Sequence, residues 1–177
     1  AGDAEGARQH MITAAAQASG SLAFARAAEL SLAAVRLCRP DDVEGRRRLR
    51  VDAAQALIHA GNNAEAAACF LAAAAEAPTV PALHLRQRAA EALLVCGATQ
   101  RGEALLQAVL RALGSPLPQT RMAMLARVGL STFWLRRHGL EFTPRSEQEV
   151  PEEQLLRLDT LRSARLAGTL SLALDLR

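Results

Sequence analysis

An all-α chain of about eight helices, folded as antiparallel hairpins, is predicted by three observations. Half of the 177 residues are hydrophobic, yet only 3% are aromatic and there is no tyrosine. Alanine supplies much of the apolar content, and alanine is both the best helix former and small enough to let helix axes approach closely. The β-branched residues that favour strands are sparse, and glycine and proline punctuate the chain at helix-length intervals.

The punctuation places the elements in order. A first helix is expected from Ala4 to Ser19, broken by Gly20-Ser21, and a second from Ala23 to Cys38, stopped by Pro40. Asp41 is expected to cap a third helix, with Glu44 three residues on in an Asp-x-x-Glu capping box, and His59-Ala60-Gly61 end it. A fourth spans Ala64 to Ala77, closed by Pro78; Pro81 opens a fifth that ends at Gly97. A sixth covers Thr99 to Leu113 and a seventh Gln119 to Arg137. Residues 139–150 form the one long irregular stretch, after which Pro151-Glu152-Glu153 start an eighth helix with carboxylates suited to its dipole.

Internal similarity decides between a bundle and a stack of repeats. Beyond Gly61, a small residue (Ala66), an aromatic (Phe70), another alanine (Ala73) and a closing proline (Pro78) follow at 5, 9, 12 and 17 residues. Ala54 and Leu57 are the small and bulky residues of the preceding helix. Downstream the frame recurs as Gly97, Gly102, Leu106, Val109 and Gly114, with Ala90 and Leu93 before it. Upstream it reads Ala28, Leu32, Val35 and Pro40, with Ala16 as the small residue of the first helix. The closing residues stand 38 and then 36 apart. Small residues let the two helices of a hairpin cross closely, while the aromatic fills the gap to the next hairpin.

This spacing resembles the tetratricopeptide (TPR) repeat, over about residues 4 to 114. The resemblance implies three helix pairs in residues 1–116, stacked as a right-handed superhelix, with residues 117–177 a degenerate fourth pair or junction. The family tryptophan is missing, and Arg50 stands at its place in the best repeat. The opening run AGDAEGARQHMITAAAQASGSLAFARAAEL and the Pro151–Asp159 stretch also resemble the helical region that follows the ATPase module in multidomain bacterial serine/threonine kinases and related ATP-dependent transcriptional regulators. That resemblance implies a longer parent protein. The missing initial methionine and an end at Leu176-Arg177, inside an expected helix, point the same way.

Charge narrows the partners. All 21 positive charges are arginine, which suits a GC-rich bacterial genome, and 18 acidic residues lie interspersed among them for a net charge of +3. A nucleic-acid footprint needs a concentrated basic face instead. No apolar run reaches the ~20 residues that span a bilayer, and no secretory signal opens the chain. Cys38, Cys69 and Cys96 are odd in number and form no CxxC pair, so a reducing cytoplasm is the expected compartment, with each thiol a small hydrophobe near a helix end. None of the four histidines (His10, His59, His84, His138) has a ligand at metal spacing. No Gly-rich phosphate loop, HRD, DFG or GxSxG motif occurs. No catalytic residue, metal or cofactor is therefore expected.

What remains is docking. In TPR proteins one side of each first helix lines a groove for peptides or partner helices, and the resemblance carries this onto three rows. These are His10, Thr13 and Gln17; Arg48, Val51 and Gln55; and His84, Gln87 and Glu91. Their polarity suggests an exposed, hydrogen-bonding surface. Arg46-Arg47-Arg48-Leu49-Arg50 reads as a solvated face, with Glu44 answering Arg48. Trp134, beside Phe133, is expected in the core of the seventh helix, and Phe24 and Phe142 as packing residues. The expected function is a non-catalytic protein–protein interaction or scaffold segment, with effector sensing as the alternative. Partners would be proteins, peptides or other domains of the same parent. Repeats left without polar caps should self-associate or be only marginally stable.

Overall fold

The computed structural model describes residues 2–116, 121–139 and 150–175. Within them lie eight helices and no strand: α1 (Gly2–Gly20), α2 (Phe24–Arg36), α3 (Val43–His59), α4 (Asn63–Ala75), α5 (Thr79–Val95), α6 (Thr99–Ala112), α7 (Arg121–His138) and α8 (Glu152–Asp175). From α1 to α6 each helix packs closely on the next, the nearest-neighbour pattern of a helical-repeat stack. The expected irregular stretch falls almost wholly on residues 140–149, which lie outside the described residues, as does Phe142.

The small and bulky positions read from the second and third repeats are the core. Ala54, Ala66, Phe70, Ala73, Ala90, Leu93, Leu106 and Val109 are all buried, and Phe70 is the largest of the fully buried side chains. Gly102 stands at the second small position for a steric reason. A Cβ there would come within 2.8 Å of Leu94 Cγ and 3.0 Å of the Ala90 carbonyl oxygen, so only glycine allows α6 to cross α5 at this distance. Above Phe70 the Arg88 guanidinium carbon lies 4.5 Å from the ring centroid, a cation–π contact that ties α4 to α5.

The first pair departs from the expected register by one residue. The second helices of the pairs start after Ala23, Asn62 and Ala98, which stand 39 and then 36 residues apart. The extra three residues lie in the α2–α3 connection, six residues long (37–42) against three (76–78) between α4 and α5. Pro40 is thus an inserted loop residue and has no counterpart in Pro78. In the corrected frame Ala66, Phe70 and Ala73 correspond to Ala27, Ser31 and Ala34, all buried, whereas Leu32 and Val35 are only half-buried. Likewise Ala15, not Ala16, is the buried small residue of α1.

The caps show why the boundaries fall where they do. Gly61, Gly97 and Gly114 adopt positive φ (83°, 84°, 66°) and close their helices with Schellman bonds such as Asn62 N–H to Leu57 O at 2.8 Å. After α1 the same turn is made further on than expected, with Leu22 at φ 61° and Ala23 N–H donating to Ala18 O at 2.8 Å. A left-handed conformation costs a leucine roughly 1–2 kcal/mol, part of which glycine returns as chain entropy. Leu22→Gly is therefore expected to stabilise the protein by about 0.5–1 kcal/mol in urea unfolding. The cap of α3 is Asp42 and not Asp41. Its carboxylate accepts from Gly45 N–H at 2.9 Å and is held by Arg8 at 2.8 Å, while Asp41 is drawn to Arg39 at 3.2 Å, so no box with Glu44 forms.

The end of the chain adds a contact that the repeat frame did not specify. It is α8, not α7, that packs on α6 and touches α5. Leu156, fully buried, joins Leu83, Val109 and Leu113 across that contact. On α7, Trp134 is 59% exposed, where burial was expected, and the adjacent Phe133 is 64% exposed. Cys96 is likewise exposed, and Cys69 lies in the middle of α4 instead of at a helix end. No helix among the described residues is long and apolar enough to cross a membrane.

Candidate docking crevices

The three predicted rows, on α1, α3 and α5, are treated differently by the structure. The α5 row is covered. Gln87 is only 8% exposed and donates to Glu91 Oε1 at 3.1 Å, and the same oxygen accepts from Ser163 Oγ of α8 at 2.6 Å. At the other end of the row, His84 Nε2 faces Glu152 Oε1 at 3.3 Å. At its Gln87–Glu91 end the expected open surface is a polar seam closed by the chain's own last helix, whereas His84 is half-buried and lines a cavity toward α3.

The α3 row is open. Arg48 and Gln55 are exposed and Val51 half-buried. Arg48 and Gln55 line a cavity of about 430 Å³ between α1, α2 and α3, together with Ile12, Ala15, Ser31 and Asp52. On the other side, Arg48 and Val51 line a second cavity of about 480 Å³ toward His84, Arg88 and Glu152. Arg48 therefore stands between the two openings.

The α1 row is displaced. His10, Thr13 and Gln17 are all exposed, and the Thr13 hydroxyl donates to its own helix at Gln9 O, 3.0 Å. The side of α1 that faces the cavity carries Ile12, Ala15, Ala16 and Ser19. The cause is the register slip already seen: counted from Ala23 and Asn62, Val51 and Gln55 correspond to Ile12 and Ala16.

Within the Arg46–Arg50 run the ion pairs leave one arginine out. Arg46 and Arg50 share Glu76 at 3.0 and 2.6 Å, and Arg47 takes Glu44 at 2.6 Å, so Glu44 answers Arg47 and not Arg48 as expected. Arg8 holds Glu5 and Asp42. Among the described residues Arg48 has no carboxylate within salt-bridge distance. One turn on, burial pushes the Asp52 carboxyl above its ordinary value, and Arg48 pulls it part of the way back. Asp52 is not among the residues singled out from the sequence, although its place four residues after Arg48 puts both on one helix face. Nor does the sequence show the far wall of the cavity, where Phe24 and His59 stack with centroids 4.9 Å apart.

Glu76 gives a pH dependence. Its burial would raise the carboxyl, but hydrogen bonds and charge from Arg50 and Arg46 outweigh it and hold the group below the usual carboxylate range. A carboxyl lowered by folding adds stability that is complete above its unfolded value and is lost as pH falls through the folded one. Acid unfolding of Glu76→Gln is accordingly expected to show a shallower loss of stability below the ordinary carboxyl range than the parent, read as Tm against pH.

Among the described residues no group of three or more His, Cys, Asp or Glu side chains is placed to hold a metal ion. Set against protein-family models, curated proteins and solved structures, the chain matches none of them.

Proposed function

We propose that this chain is a non-catalytic, TPR-like interaction module that docks segments of other proteins in the open crevices beside α3. The observation that carries this is the filled crevice beside α5. There a helix of the same chain lies on the first-helix row, with Ser163 hydrogen-bonded to Glu91 at 2.6 Å and Glu152 3.3 Å from His84, so this face is chemically suited to receiving a polypeptide. On the equivalent row of α3, Arg48 has no salt-bridge partner among the described residues and a cavity opens on either side. The resemblance to regions beside bacterial kinase and ATPase modules makes a cytoplasmic, ATP-dependent regulator the parent we favour, with other domains of that parent among the candidate occupants.

Affinity capture from lysate with the wild-type chain and an Arg48→Glu/Gln55→Ala variant tests the reading. Partners held by the wild type and lost in the variant support it; identical partners, or none, count against it. A second reading, effector sensing, is favoured by the mixed polar and apolar lining of the α1–α2–α3 cavity. A metabolite that raises Tm at saturating concentration would favour that reading, because binding to the native state adds stability by mass action.

A further inference from the structure

The cavity between α1, α2 and α3 has a structural origin that points to what enters it. In the second pair the inter-pair slot is filled by Phe70, and in the third by Leu106, both fully buried. The residue at this position in the first pair is Ser31, 39 before Phe70, as the N-caps Ala23 and Asn62 are 39 apart. Ser31 is 4% exposed, lines the cavity, and its hydroxyl makes no hydrogen bond among the described residues. The correspondence extends to the neighbour. Phe70 packs under Arg88, and Asp52, 36 residues before Arg88, lines the cavity with Ser31. A slot closed by the chain's own ring in one pair thus stands vacant in the pair before it.

Its walls suit the same kind of occupant. Ile12, Ala15, Leu49 and Ala56 supply apolar surface, and Phe24 an aromatic wall. At the rim Arg48 is the one arginine of the Arg46–Arg50 run with no carboxylate partner among the described residues. The equivalent place in the next pair, His84, 36 residues after Arg48, has a carboxylate beside it, Glu152 Oε1 at 3.3 Å from Nε2.

We propose that the Ser31 slot receives one bulky apolar side chain, of phenylalanine or leucine size, from a partner protein segment whose adjacent acidic residue pairs with Arg48. The vacant slot is the hot spot of the docking face: an anchor in a desolvated pocket, with the charge pair setting orientation. This rests on the docking reading above and adds the chemistry of the occupant.

The test uses the full chain and three capped peptides, Ac-Glu-Phe-Glu-NH2, Ac-Glu-Ala-Glu-NH2 and Ac-Arg-Phe-Arg-NH2, followed by NMR shifts of the Ile12, Ala15, Ser31 and Ala56 amides. The acidic phenylalanine peptide is expected to saturate these shifts and the other two to bind at least tenfold more weakly. Ser31→Phe, which supplies the ring from within, should abolish the shifts and raise Tm. Ser31→Leu, which copies Leu106, gives the same reading if the phenylalanine variant does not fold. Arg48→Glu should reverse the charge preference. Shifts that survive in both Ser31 variants, or no phenylalanine-dependent shift at this cavity, overturn the proposal. N-acetylphenylalaninamide binding as tightly as the peptide also overturns it, in favour of a small-molecule site. Partners captured from lysate through Arg48 but indifferent to Ser31→Phe would leave the docking function standing and remove only this anchor.

Discussion

Replacing Phe70 by alanine is expected to cost about 3–5 kcal/mol, because the ring is fully buried and the site cannot collapse around the gap. Phe70 belongs to the cluster that joins α3, α4 and α5 through Ala54, Leu57, Ala73, Leu85 and Ala89, helices whose backbones already approach through alanine. The loss includes the Arg88 contact as well as the apolar transfer term. Phe70→Leu, which matches the third pair's Leu106, should cost much less. Urea unfolding of the two variants measures the difference, and near-equal losses would mean that the slot is not shape-selective. The first pair, with Ser31 in the same slot, is expected to be the least stable part of the stack and to open first in native-state hydrogen exchange.

The second large effect is expected from Leu156→Ala, at about 2–5 kcal/mol. Leu156 is the buried apolar contact of α8 with Leu83 and Val109. Around it the docking is polar: the Thr160 hydroxyl turns back on Leu156 O at 2.7 Å, and Ser163 and Glu152 reach Glu91 and His84. From α1 to α6 each helix packs on the next, so a defect at one end is felt locally. Hydrogen exchange should therefore show α8 and the α5 face losing protection while α1 to α4 keep theirs. A uniform loss along the chain would make α8 an integral part of one cooperative core.

The second and third pairs are legible in the sequence because Ala54, Ala66, Phe70 and Ala73, and then Ala90, Gly102, Leu106 and Val109, repeat at a constant 36 and each position is buried. The first pair reads one residue late because Pro40 mimics the closing Pro78, while the three extra residues of the 37–42 loop leave no pattern of their own. That slip hides the Ser31 vacancy and moves the α1 row to His10, Thr13 and Gln17. The exchange of α7 for α8 is illegible for another reason. Both helices carry apolar residues at helical spacing, and only the three-dimensional fit to Leu83 and Val109 decides which covers α6. Gln87 and Glu91 read as solvent-facing because they are polar. They satisfy each other across one turn and meet a partner at Ser163, 72 residues beyond Glu91, a pairing with no local signal.

The most direct measurement of the docking account is site-specific photo-cross-linking from the open crevice. A benzoylphenylalanine probe placed at Gln55, on the cavity rim, is compared with the same probe at Glu29, exposed on α2 and absent from the cavity lining. The expected result is a discrete protein adduct from Gln55 that is lost in the Arg48→Glu background and absent from Glu29. Equal adducts from both positions, or none from Gln55, would contradict the claim that the face beside α3 is where this chain meets its partner.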